Sequence, residues 1–257
     1  MKRIGKREIF ESVRVTLLIL ALMCSAPLIQ PVYAGTIEPI LSSAVGIPVA
    51  PMLFSFTPDL KPPIMQSDLW MPVPNWLAGT WQARSQIVLY SYNYREGRNV
   101  IDEPLKVAIT RSSTIGVQKD SNGQIWHYTG APYIRTIRTP NYIEHQQINR
   151  LSLLASSAAS VTVRTLSSVT HTDIASNELI DEFIEQTDTT YEPLSEQMLK
   201  ATFLVQDFDT QGKPRNVSKS VCTENRVKPY EQIDQDDRGN LRELFNTFDQ
   251  LNRFFSR

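Results

Sequence analysis

Three histidines, a set of arginines spaced among apolar residues, and the acidic run "DQDD" at 234–237 are the places where this chain could do chemistry. A zinc site needs histidines or cysteines in close, regular spacing. His127, His145 and His171 lie in separate segments without that spacing, so each is expected as a partly exposed strand or loop residue. The run at 234–237 lacks the set oxygen-ligand positions and closing glutamate of a calcium-binding loop. It reads as a solvated turn before a helix, with Asp236 or Asp237 near the helix's positive end. Neither a Gly-x-Ser-x-Gly elbow nor a phosphate-cradling glycine loop occurs. No catalytic residue, metal ligand or cofactor is therefore assigned.

The arginines carry the sharper possibility. Arg84, Arg135, Arg138, Arg150 and Arg164 each sit where the neighbouring positions alternate with apolar residues. Either they form a water-facing side, or one or two point into a cavity and pair with a carboxylate or phosphate of a ligand, which a bidentate guanidinium orients. Arg135 and Arg164 are the ligand-binding candidates on the second reading. Arg135 and Arg138, three apart in a strand, face opposite sides, so at most one of them is inside.

From Gly79 onward the dominant period is two, the mark of half-buried strands. "LKVAIT" places Leu105, Val107 and Ile109 on one face, and "TIGVQKDSNGQIWHYT" reads as a hairpin turning at Asn122-Gly123. Further strands are expected at 133–139, 147–154, 160–166, 168–173, 198–207 and 217–227. "SNELIDEFIEQTDTTYE" also fits a helical spacing, but its threonines and Tyr191 favour a strand. Many strands without intervening helices imply an all-β, mainly antiparallel sandwich or barrel.

The first 34 residues have a basic start (Lys2, Arg3, Lys6, Arg7, Arg14), an apolar centre and "VYA" before a possible cut, the three parts of a secretory signal. An uncleaved membrane anchor is the alternative. Cys24 follows Met23 within the apolar run, which does not suit lipidation, and cleavage after Ala34 leaves Cys222 without a disulfide partner. Removing 34 of 257 residues leaves 223, enough for one large core. It also takes away five basic and two acidic residues, so the formal charge moves from −1 to −4, which argues against a nucleic-acid binder. Residues 35–74 hold eight of sixteen prolines, yet Leu53, Phe54, Phe56, Leu69 and Trp70 make them too apolar for an idle linker. They are expected to lie extended along the fold; a disordered spacer is the alternative.

Where the proline-rich stretch ends stands "WLAGTW", residues 76–81. With Gly79 and Trp81 at the head of the first long strand, it resembles the Gly-x-Trp signature of lipocalins and related calycins. The order of segments is also similar to uncharacterised lipocalin-like exported proteins of cyanobacteria and plastids. The resemblance covers roughly residues 68–230. It implies a single lipocalin-like β-barrel over 75–232, with Trp81 closing its narrow end, Arg226 across that ring, and export to a periplasm or thylakoid lumen. It also leaves His171 a route to a cofactor inside such a barrel, a role ranked below that of an ordinary strand residue.

Residues 233–257 end in "GNLRELFNTFDQLNRFFSR", where Leu241, Leu244, Phe245, Phe248, Leu251, Phe254 and Phe255 recur at steps of three and four. This is an amphipathic helix that either packs on the protein's own barrel or meets a partner, for which Leu244, Phe248, Leu251 and Phe255 are the contact candidates. Its mixed charge suits a protein partner better than anionic lipid. Two functions follow as expectations: an exported, non-enzymatic protein that binds a small apolar or amphipathic ligand such as a lipid, fatty acid or pigment, or a structural or assembly factor acting through protein contacts. An enzyme on the same scaffold lacks a visible acid/base pair.

Overall fold

A computed structural model describes residues 69–139 and 141–255. The expected leader over 1–34, Cys24 and the larger part of the proline-rich segment, 35–68, lie outside these residues.

The strands in chain order are β1 (Trp70–Val73), β2 (Gly79–Asn93), β3 (Arg98–Ile101), β4 (Leu105–Ile115), β5 (Gln118–Lys119), β6 (Ile125–Tyr128), β7 (Tyr133–Arg138), β8 (Tyr142–Ser156), β9 (Val161–Asp173), β10 (Leu179–Ser195), β11 (Met198–Phe208), β12 (Pro214–Pro229), β13 (Gln235–Asp236) and β14 (Gly239–Asn240), followed by the helix α1 (Leu241–Phe255). The fold is mostly antiparallel β with a single C-terminal helix among the described residues. Several strands are longer than the alternation suggested. Residues 160–166 and 168–173, read as two strands, are one, β9. The disputed segment after Asn177 is the 17-residue strand β10.

Nine strands form the main sheet in the order β3-β2-β12-β11-β10-β9-β8-β7, with β4 also on β2, beside β3. Register shifts in the β2–β12, β2–β4, β8–β9 and β10–β11 ladders mark bulges, which bend a strand and increase its twist. The sheet therefore curls over one face. It does not close: in the described residues β7 pairs only with β8, while β3 and β4 pair only with β2. A barrel requires every strand to be paired on both sides, so the lipocalin-type barrel implied by "WLAGTW" is corrected to an open, curled sheet. The local cause lies after β4. Gly116, at φ 78°, turns the chain away, and the next strands go to a separate three-stranded sheet, β1-β6-β5, instead of bridging β4 to β7.

That small sheet separates two cores. Met71, Val73 and Ile125 face the main core, together with Leu77, Trp81, Val107, Leu199, Phe203 and Val205. Trp70, Val117 and Tyr128 face the other way and receive Leu241, Phe245 and Phe248 of the helix. The ring centroids of Trp70 and Phe245 are 4.9 Å apart at a steep angle, and those of Trp126 and Phe248 5.0 Å. Asn240 caps the helix, its Oδ1 accepting the Glu243 N–H at 3.1 Å. Of Asp236 and Asp237, either of which was expected near the helix end, Asp236 instead binds Arg238 across the β13–β14 turn.

Candidate functional site

Alternation along the long strands delivers one residue in two to the curled face, and the register sets them side by side. Phe183, Glu185, Thr187, Thr189 and Tyr191 of β10 lie opposite Val169, Ser167, Thr165, Val163 and Val161 of β9. Glu185, Thr187, Thr189 and Tyr191 lie on their other side opposite Asp207, Val205, Phe203 and Ala201 of β11. The result is a two-part lining. Towards Trp81 it is mainly apolar, with polar groups set into it: Arg111 meets Tyr191 and Glu224, and Gln86 Nε2 donates to Ser220 Oγ at 2.6 Å. Towards β7 it is polar, although nearly as well buried: Glu144 is 1 % exposed, Asp207 2 %, His171 3 % and Glu185 6 %.

Hydrogen bonds knit this polar end across three strands. Arg135 on β7 donates through Nη2 to Gln146 Oε1, Gln146 Nε2 donates to Glu144 Oε1 at 2.7 Å, and Glu144 Oε2 lies 2.9 Å from His171 Nε2. The His171 ring stacks on Tyr142 at 4.1 Å and meets Phe183 edge-on at 5.3 Å. Over Phe183 sits the guanidinium of Arg215, held by both oxygens of Asp181. Glu185 accepts from the Thr187 hydroxyl at 3.2 Å, and Asp207 Oδ2 accepts from Asn216 at 3.1 Å. The second oxygen of Asp207, Oδ1, is buried without a hydrogen-bond partner.

Burial is the main reason the two carboxyls facing each other across β10 and β11 hold their protons. Desolvation, then the charges of Asp207 and Glu144, push Glu185 up to about 8, with Arg135 and Thr187 pulling weakly the other way. Desolvation also raises Asp207, to about 7, against the Asn216 hydrogen bond and the Arg215 charge. Two carboxyls this close titrate as a pair. Chemically, such a pair can donate a hydrogen bond while neutral and accept a cation once ionised.

The residues singled out from sequence are scattered. Arg135 is half-buried on the curled face, at the open edge of the sheet, while Arg138 on the same strand is exposed. Arg164 lies on the opposite face of the sheet, in a bidentate pair with Asp188 at 2.7 Å, so the two ligand candidates do not share a site. Trp81 is fully buried, its Nε1 donating to Leu77 O at 2.8 Å, with the Arg226 guanidinium 4.5 Å over the ring; there is no closed barrel for it to seal. Gly79, at φ 139°, admits no side chain, because a Cβ there would meet Lys228 O at 2.7 Å. On the helix, Phe248 is buried in the protein's own core, whereas Leu244 and Leu251 are exposed; the side chain of Phe255 lies outside the description.

The histidines lie on three strands, His127 on β6, His145 on β8 and His171 on β9, and His171 is buried rather than partly exposed. His145 sits on the outer face near Thr136, and His127 accepts from the Gly116 N–H at 3.3 Å, with burial and then Arg238 holding its pKa down to about 4. Sequence reasoning missed Glu144, Glu185, Asp207 and Arg111. The signal was present: each stands two residues from an apolar position of the buried parity, next to Tyr142, Phe183, Val205 and Ile109 respectively.

A separate crevice of about 370 Å³ lies where β1 meets the β8–β9 turn, lined by Val73, Pro74, Trp76, Gln124, Ser157 and Ala158. The Trp76 indole N–H is buried there without an acceptor, but no charged side chain lines the crevice. Among the described residues no group of three His, Cys, Asp or Glu side chains is arranged to hold a metal ion. No protein-family model, curated protein or solved structure matches the chain, so the resemblance to lipocalins finds no support there.

Proposed function

We propose that the chain is an exported, non-enzymatic protein that binds a small amphipathic molecule on the curled face of its main sheet, with the polar head at the Glu144–Glu185–Asp207 end. One observation carries this reading: Asp207, 2 % exposed, keeps Oδ1 without a hydrogen-bond partner beside the facing, likewise buried carboxyl of Glu185. A group so placed is costly to the fold and is a common mark of a binding site. Arg135, half-buried on the edge strand β7, puts the polar end beside the opening of the sheet. His171 and Gln146 are engaged with Glu144, which suits holding a head group better than turning one over. Export is motivated by the basic start, apolar centre and "VYA" of the first 34 residues, with a periplasm or thylakoid lumen as destination.

Native mass spectrometry of protein purified from its source tests the reading. A co-purifying small molecule supports it, and N-terminal sequencing that recovers Met1 in the mature protein overturns the export part. The second reading, a structural or assembly factor, is favoured by the exposed Leu244, Leu251 and Phe254 on α1, and a protein in fixed stoichiometry is the result expected for it.

A further inference from the structure

Granted that the curled face binds an amphipathic molecule, the charges at its polar end limit what the head can be. Every strand from β7 to β12 contributes: Arg135 from β7, Glu144 from β8, His171 from β9, Asp181 and Glu185 from β10, Asp207 from β11 and Arg215 from β12. Four carboxyls thus face two guanidinium groups and one imidazole. Both guanidinium groups are engaged, Arg215 by the two oxygens of Asp181 and Arg135 by Gln146. The imidazole lies against Glu144. That leaves the facing carboxyls of Glu185 and Asp207 without an ion-pair partner among the described salt bridges, bonded only to the neutral Thr187 and Asn216. The free oxygen, Asp207 Oδ1, is an acceptor when ionised.

We propose that the head group bound at this end is an organic cation, a primary ammonium on an apolar body, held between Glu185 and Asp207 with Glu144 behind them. Its N–H groups satisfy Asp207 Oδ1 and its charge compensates the pair. The Phe183 ring on the same face already carries the Arg215 guanidinium, and Val169 and Val205 give the surroundings of the pair an apolar character that suits the body. An anionic head would meet four carboxyls with both guanidinium groups already engaged, and a neutral head would leave the pair dependent on its protons. In the empty site protons do the compensating, so uptake of an ammonium ion releases protons from the pair to the buffer.

The test uses three probes of one chain length, n-octylammonium, octanoate and 1-octanol, titrated calorimetrically into the mature protein at pH 8 and pH 6, in two buffers of different ionisation enthalpy. The expected result is octylammonium binding at least tenfold more tightly than either other probe. Affinity falls at least threefold from pH 8 to pH 6, and net proton release shows as a buffer-dependent heat. Asp207→Asn combined with Glu185→Gln should reduce octylammonium affinity at least tenfold while leaving octanol unchanged. If that double variant does not fold, the comparison of probes and pH on the unaltered protein still decides. Octanoate or octanol binding as tightly as octylammonium overturns the cationic head and leaves the binding function standing. No saturable uptake of any probe overturns both.

Discussion

Arg111 on β4 and Tyr191 on β10 are hydrogen-bonded at 3.2 Å, Nη2 donating to the phenol oxygen, although β2, β12 and β11 separate their strands in the sheet. Four inter-strand steps of about 4.8 Å would put them roughly 19 Å apart on a flat sheet, so this contact measures how far the sheet curls. The guanidinium also lies 4.6 Å over the Phe203 ring and 3.6 Å from Glu224. Replacing Arg111 alone by Leu leaves Glu224, fully buried, without its countercharge. The expected cost is about 3–5 kcal/mol. Replacing Arg111 by Met together with Glu224 by Gln should recover more than half of it, as urea denaturation of the single and double variants will show.

Trp81 fills the apolar end of the same face beneath Arg226. Trp81→Ala is expected to cost about 3–5 kcal/mol as a large core truncation. Arg226→Ala should cost far less, about 1 kcal/mol, because a cation–π contact at a half-exposed site is modest. Thermal melts that put the two variants at equal cost would contradict this ordering.

The stability contributed by Glu185 and Asp207 should fall as pH rises from about 4 to about 8, most plainly above about pH 6.5, where the opposing contribution of His127, held down to about 4 by burial, is already complete. Glu185 and Asp207 are raised above ordinary carboxylate values, mainly by burial, so the folded state holds their protons where the unfolded chain has lost them. Below pH 4 both states are protonated and the contribution is complete; it fades as pH climbs through the raised values. A loss on the order of 3 kcal/mol is expected, roughly 6–12 °C in Tm. Glu185→Gln with Asp207→Asn, which keep the shape of the neutral acids, should flatten that limb, and an unchanged slope would show the pair is not its source.

The two sides of α1 should respond differently. Phe248 is 6 % exposed and packs on Trp70 and Trp126, so Phe248→Ala is expected to cost about 3–4 kcal/mol. Leu251, 42 % exposed, should tolerate Ser within about 0.5 kcal/mol. Chemical denaturation of both variants measures the difference.

Period-two alternation was enough to place most of the long strands, their faces and the turn at Asn122-Gly123, because a pleated strand sends successive side chains to opposite sides whatever surrounds it, although it divided β9 in two and did not show β3. It also held the parity that buries Glu144, Glu185, Asp207 and Arg111, although a polar residue on a buried parity looks, in sequence, like one facing water. The helix was legible from its steps of three and four. Sequence could not say which part of its apolar stripe would be covered, since that depends on Trp70 and Tyr128 being brought together by the β1–β6 ladder. Whether the sheet closes was likewise decided only in three dimensions. Closure depends on whether β4 and β7 pair, two strands joined by a segment whose own alternation is strand-like wherever it goes. Gly116 and the pairing of β6 with β1 send that segment to a second sheet, so a signature that resembles a barrel stands at the head of a sheet left open. The polar end was assembled in the same way, from six strands whose register, and not whose spacing along the chain, sets Glu185 opposite Asp207.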